Sequence, residues 1–91
     1  MTEVCRNVLI RNKLGLHARA ATKLAKLASQ FDAKVTIGQG EKSVDASSVM
    51  GLMLLASQQG KEIQVKAVGP DAELALDAIT QLIHDRFDED E

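Results

Sequence analysis

The sequence predicts an α+β domain, an antiparallel sheet covered on one face by helices. Three observations carry that reading. Runs with period-two alternation of apolar and polar residues recur at 4–10, 34–37 and 63–67. Stretches with apolar residues at helical spacing lie between and after them, at 21–28 and 72–83. The connection Gly38-Gln39-Gly40 is too short for a crossover, so it joins the second strand to a third by a hairpin.

In the first run, Val4, Val8 and Ile10 alternate with Cys5, Asn7 and Leu9, and Arg6 interrupts the apolar set. Cys5 falls on the parity opposite the core. The alanine-rich helix that follows places Ala21, Leu24, Ala25 and Ala28 on one face, with Lys23 and Lys26 off it. Phe31 is expected to plug the core from the loop beyond. Val35 and Ile37 point inward from the second strand, and the third spans about 42–44.

Ser47 or Ser48 then stands ready to cap a helix over the apolar run that ends at Ala56, which Gly51 should keep short. That run is apolar nearly all round. A small domain cannot bury it whole, so some of its Met and Leu side chains should be exposed as an interaction patch. Ile63, Val65 and Ala67 alternate with Glu62, Gln64 and Lys66 in a fourth strand. Gly69-Pro70-Asp71 opens the last helix, with Pro70 expected in its first turn, and Ala72, Ala75, Leu76, Ile79, Leu82 and Ile83 form its core stripe. The order is β-α-β-β-α-β-α, and the sheet's second face should be open to water.

Length and composition narrow the function. The 91 residues make one domain, 1–91, with room for one modest core. Two Phe and no Trp or Tyr argue against stacking platforms for single-stranded nucleic acid. A single Cys excludes an internal disulfide and a multi-Cys zinc site, and no cofactor or metal is expected. The apolar run at 49–56 is too short to span a bilayer and no signal-like segment is present, so a soluble, cytoplasmic protein is expected. Residues 85–91 carry Asp85, Asp88, Glu89, Asp90 and Glu91 against Arg86, a net of −4, which leaves ten basic and eight acidic side chains elsewhere. An acidic tail on a faintly basic body suits protein partners better than DNA, and the tail is expected to be solvated and frayed.

The chemistry concentrates at Lys13-Leu14-Gly15-Leu16-His17-Ala18-Arg19-Ala20-Ala21-Thr22, where strand-like alternation gives way to helix. A histidine there sits beside N–H groups with no intrahelical acceptor, at the positive end of the helix dipole. An anion brought to it would meet those donors and the guanidinium of Arg19, and phosphate is the obvious candidate. The alternative is a polar loop histidine with Gly15 supplying a turn.

Gly-Leu-His-Ala-Arg ahead of a small-residue helix resembles the active-site motif of the histidine-containing phosphocarrier family, HPr and its nitrogen-branch relative NPr. The likeness runs nearly end to end. It implies an open-faced β-sandwich with strand order 1-4-2-3 and three helices on one face. His17 would accept a phosphoryl group on Nδ1, attended by Arg19 and by the first-turn N–H groups of Ala18, Arg19 and Ala20. The family usually has proline where this chain has Ala20, which restores an N–H in the first helical turn. Ala21, Val49, Met50, Met53 and Leu54 match the surface that docks on enzyme I and on acceptor proteins. Ser48 aligns with a serine that some members carry phosphorylated, although capping is a sufficient job for it and Gly51 replaces a lysine common nearby. The Ser-Val pair, the Met- and Leu-rich run, Gly69-Pro70 and the Phe87-Asp88-Glu89-Asp90 end resemble NPr. They imply the nitrogen-type enzyme I as donor, the nitrogen-type enzyme IIA as acceptor, and a regulatory output from a monomeric, stoichiometric carrier. A sugar-branch carrier and a regulator that binds through Met50–Leu54 without phosphorylation are the alternatives. An enzyme is disfavoured, since no second histidine, carboxylate pair or metal cluster accompanies His17, and His84 is expected at the surface.

Overall fold

Strands β1 (Glu3–Leu9), β2 (Lys34–Gln39), β3 (Lys42–Asp45) and β4 (Glu62–Val68) form one sheet, and helices α1 (Ala18–Ala28), α2 (Val49–Leu55) and α3 (Ala72–His84) are threaded between and after them. The computed structural model describes residues 2–55 and 58–88. The Ala56 end of the predicted apolar run and residues 89–91 of the predicted tail lie outside the described residues. Strand order is β1-β4-β2-β3 with every pair antiparallel, as the resemblance implied.

The register shows how alternation divides the sheet. One face carries Val4, Ala67 and Val35 in one row, and Arg6, Val65, Ile37 and Val44 in the next. Against it lie the buried faces of the helices: Ala21, Leu24, Ala25 and Ala28 from α1, Leu52 and Leu55 from α2, and Ala72, Ala75, Leu76, Ile79 and Ile83 from α3. The other face carries Cys5, Lys66, Thr36 and Asp45 in register, open to water. Arg6 holds a core parity because β1 is an edge strand. Its guanidinium reaches out to Asp77 of α3 at 3.3 Å while its stem covers apolar surface. Ile10 is fully buried but lies just past the strand, where its N–H donates to the Lys61 carbonyl at 2.9 Å. Among the described residues, no helix is long and apolar enough to cross a membrane.

Three local expectations need correction. Pro70 precedes α3: the N–H of Ala72 donates to the Gly69 carbonyl at 3.2 Å, which makes residues 69–72 a β-turn with proline at its second position. Asp71 occupies the cap position, where its carbonyl accepts the Ala75 N–H at 2.8 Å but its side chain makes no cap bond. Its carboxylate accepts the Asp32 N–H at 2.8 Å and its N–H donates to the Asp32 carbonyl at 3.1 Å. This reciprocal pair fastens the α1–β2 loop to the β4–α3 turn. Gly69, at φ 139°, is required there, because a Cβ would stand 2.9 Å from the Asp32 carbonyl oxygen.

The second and third corrections concern phenylalanine. Phe31 is half-buried at the rim of the core, and Phe87 is the plug: it is fully buried, at the centre of a 3-10 turn (Arg86–Asp88) that packs on α1 and α3. The chain therefore does not fray from Asp85. Asp85 ends α3 with its N–H on the Gln81 carbonyl at 2.9 Å, and Lys23 of α1 donates its ammonium to the Phe87 carbonyl at 2.8 Å. Arg86 and Phe87 both adopt left-handed conformations, at φ 57° and 54°, each unfavourable by about 1–2 kcal/mol for a residue with a Cβ. Burial of the ring offsets that strain. Phe87→Ala should destabilise the fold by about 3–5 kcal/mol in chemical denaturation, far more than Phe31→Ala at the rim.

Candidate functional site

The site is built where β1 ends and α1 begins. Gly15 lies at φ 66°, a left-handed conformation that glycine alone adopts without cost. Its carbonyl accepts the Asn12 side-chain amide at 2.8 Å and the His17 N–H at 3.0 Å. Leu16 is buried beneath the turn. His17 then takes an extended conformation, φ −85° and ψ −179°, and is the N-cap of α1. Its carbonyl accepts the first intrahelical bond, from Ala21 N–H at 2.8 Å.

The imidazole performs the task that a Ser, Asp or Asn side chain does at most caps. Nδ1 accepts the backbone N–H of Arg19 at 3.3 Å, so its lone pair is aimed at the row of first-turn donors and the proton of the neutral ring sits on Nε2. The N–H groups of Ala18 and Ala20 flank that of Arg19 in the same turn, where helix geometry gives them no acceptor. Arg19 is exposed, while the Ala20 side chain is buried under α1 with its N–H in the turn. The sequence expected His17 beside the helix end; the structure makes it the cap itself. Nδ1 thus points at first-turn N–H groups that could also hold an anion.

Ser48 is the cap of α2, as the sequence allowed: its hydroxyl accepts the Gly51 N–H at 3.0 Å. Ser47 turns back instead, donating both its hydroxyl and its N–H to the Asp45 carboxylate at 2.7 and 2.8 Å. Gly51 does more than shorten the helix. A Cβ there would lie 3.1 Å from the Ser48 hydroxyl and 3.3 Å from Val44, so glycine lets α2 lie close on β3 with its cap intact.

Of the residues expected to meet partners, Met50 and Leu54 are each 73% exposed, Met53 is 46% exposed and Val49 is half-buried. Ala21 is corrected. It is fully buried against the core, so no partner can reach its side chain. Two residues near the site escaped the sequence reading. Leu14 is a large exposed hydrophobe on the His17 loop, signalled only by an apolar residue between Lys13 and Gly15. Asn12 had no local signal. His84 is at the surface, with Nδ1 2.9 Å from the Arg11 guanidinium. A groove lined by Phe31, Lys34, Thr36, Lys66, Val68 and Pro70 lies on the open side of the sheet and contains none of the residues around His17. Among the described residues, no cluster of His, Cys, Asp or Glu could hold a metal ion.

Comparison with known proteins decides the family. The model for the PTS HPr component phosphorylation site matches residues 4–85. The chain belongs to this family. It is 58% identical over 89 residues to the phosphocarrier protein NPr of Shewanella violacea, covering 98% of each chain. It is 45% identical to the phosphocarrier protein HPr of Cupriavidus necator, covering 94% of this chain and 97% of that one. Among solved structures, HPr from Thermoanaerobacter tengcongensis superposes with a TM-score of 0.90 at 38% identity over the whole of both chains. In this member of the family, a histidine caps the first helix and an apolar patch is exposed on the second.

Two tests follow from these caps. Ser48→Ala should cost about 1 kcal/mol of stability, measured by thermal or urea unfolding. The Ser47 hydroxyl and N–H hold the Asp45 carboxyl below its ordinary value, aided by the charge of Lys34 and opposed by slight burial. A depressed pKa in the folded state means that the Ser47–Asp45 contact contributes fully above about pH 4 and is lost as pH falls through the lowered value. Asp45→Asn should flatten that acid limb of the stability–pH curve.

Proposed function

We propose that this chain relays a phosphoryl group from phospho-enzyme I to an enzyme IIA-type acceptor through Nδ1 of His17, as a stoichiometric carrier rather than a turnover catalyst. The observation that carries the proposal is the aim of Nδ1 toward the Arg19 N–H at the open end of α1. An in-line transfer asks little of the acceptor beyond position and stabilised charge. The Nδ1 lone pair forms the new N–P bond as the bond to the donor breaks, and the proton on Nε2 stays in place. The phosphoryl oxygens then meet the N–H groups of Ala18, Arg19 and Ala20, with the Arg19 guanidinium as mobile counter-charge. Ala20 supplies a donor that proline would lack.

Docking is assigned to the exposed side chains Met50, Met53 and Leu54 with half-buried Val49, and Leu14 extends the apolar surface onto the His17 loop. Exposed apolar side chains of this size on a small domain suit transient contact with successive partners. Ser48 is assigned the cap, not a regulatory phosphate. The nitrogen branch is favoured by 58% identity to an NPr against 45% to an HPr, which makes the nitrogen-type enzyme I and enzyme IIA the partners of choice.

Intact mass after incubation with phosphoenolpyruvate and either enzyme I tests the whole reading. The expected result is gain of one acid-labile phosphoryl group, absent from His17→Ala and faster with the nitrogen-type donor. Faster gain with the sugar-type donor would overturn the branch alone. No gain with either, alongside a partner that still binds His17→Ala, would leave a binding regulator acting through Met50–Leu54.

A further inference from the structure

Asn12 is the one polar side chain that is fully buried among the described residues, and it stands five positions before His17. Burying an amide is unfavourable unless it is bonded, and an apolar residue of similar shape would fill the space without that cost. Its placement needs a reason. The reason is the oxygen it holds: the Asn12 Nδ2 donates to the Gly15 carbonyl at 2.8 Å, the atom that also accepts the His17 N–H at 3.0 Å. The Gly15 N–H returns to the Asn12 carbonyl at 3.2 Å and closes the turn.

Glycine makes this turn possible but cannot fix it, because the same freedom that permits φ 66° permits many other conformations. The peptide between Gly15 and Leu16 is set by what grips its oxygen. We propose that Asn12 is a positioning residue for phosphoryl acceptance, holding the Gly15 carbonyl so that the His17 backbone, and through it Nδ1, points along the first turn of α1. This inference rests on His17 being the acceptor. Among the bonds that orient that residue are Gly15 carbonyl to His17 N–H, Ala21 N–H to His17 carbonyl at 2.8 Å, and Arg19 N–H to Nδ1 at 3.3 Å. The last is the longest of these, and a loosened turn should weaken it. Misplacement of a reacting atom by about 1 Å can lower a rate by about a hundredfold.

The test compares the full-length wild type with Asn12→Ala and Asn12→Asp at a temperature where circular dichroism shows all three folded. In the unphosphorylated chain, Asn12→Ala should shift the His17 ring ¹⁵N resonances and speed hydrogen exchange at the Arg19 amide. With phosphoenolpyruvate and enzyme I, it should lower kcat for the carrier as substrate by about ten- to a hundredfold while KM changes less than about twofold, because the Met50–Leu54 surface is untouched. Asn12→Asp lacks the donor while ionised and regains one when protonated. Burial raises that pKa, so its kcat relative to wild type should recover as pH falls from about 8 to about 6. Unmoved ring resonances in Asn12→Ala, or wild-type kcat in both variants, would overturn the role of Asn12 alone. A wild-type chain that accepts no phosphoryl group would overturn the acceptor reading and this role with it.

Discussion

The bond from the Arg19 N–H to Nδ1 of His17 is the contact on which the site depends. It is a weak bond by length, 3.3 Å, yet it does two things together. It satisfies one of the orphan donors that every helix leaves at its start, and it aims a nucleophilic lone pair at the place where those donors converge. A Ser or Asp cap would hold the helix equally well and offer no nucleophilic ring nitrogen. Because the imidazole is itself the cap, helix formation alone places it beside those donors. A bound phosphoryl group would replace Nδ1 as the partner of these N–H groups, so the helix end stays satisfied in either state.

The remainder of the fold keeps α1 where that arrangement is useful. From below, the helix is held by its buried face, Ala20, Ala21, Leu24, Ala25 and Ala28. From the middle of the helix, Lys23 reaches the Phe87 carbonyl and ties α1 to the turn that follows α3. The loop leaving α1 is fastened to the start of α3 by the two bonds between Asp32 and Asp71. Beside it, α2 lies close on β3 through Gly51 and turns Met50 and Leu54 to solvent. The exposed apolar patch and the His17 cap thus sit on different helices. Changes to one can leave the other intact.

Much of this was legible in the sequence because it is local. Alternation gave the inward residues of β2 and β4, helical spacing gave the core stripe of α3, and a serine before an apolar run gave the cap of α2. The His17 junction was visible for the same reason, since cap, turn and helix lie within ten residues. What escaped is non-local. The Lys23–Phe87 and Asp32–Asp71 contacts join residues 64 and 39 positions apart, and nothing near Phe87 distinguishes a plug from one more residue of an acidic tail. Pro70 was placed in the helix because its fixed φ suits both a first helical turn and the second position of a β-turn. Ala21 carries a face assignment that spacing supplied correctly, and the resemblance pulled it to a surface from which packing excludes it. Asn12 was silent because an asparagine in a polar loop is ordinary until its burial is known.

The most direct measurement is the attachment of phosphorus within the imidazole. The chain, ¹⁵N-labelled at its histidines, would be phosphorylated by enzyme I and phosphoenolpyruvate and kept at alkaline pH. The ¹⁵N–³¹P coupling then identifies the bonded nitrogen. Coupling to Nδ1 of His17, with loss of the unmodified Nδ1 signal and a downfield shift of the Arg19 amide, is the predicted result. Phosphorus on Nε2, or on His84, would contradict the cap-directed site, because neither nitrogen faces the first turn of α1.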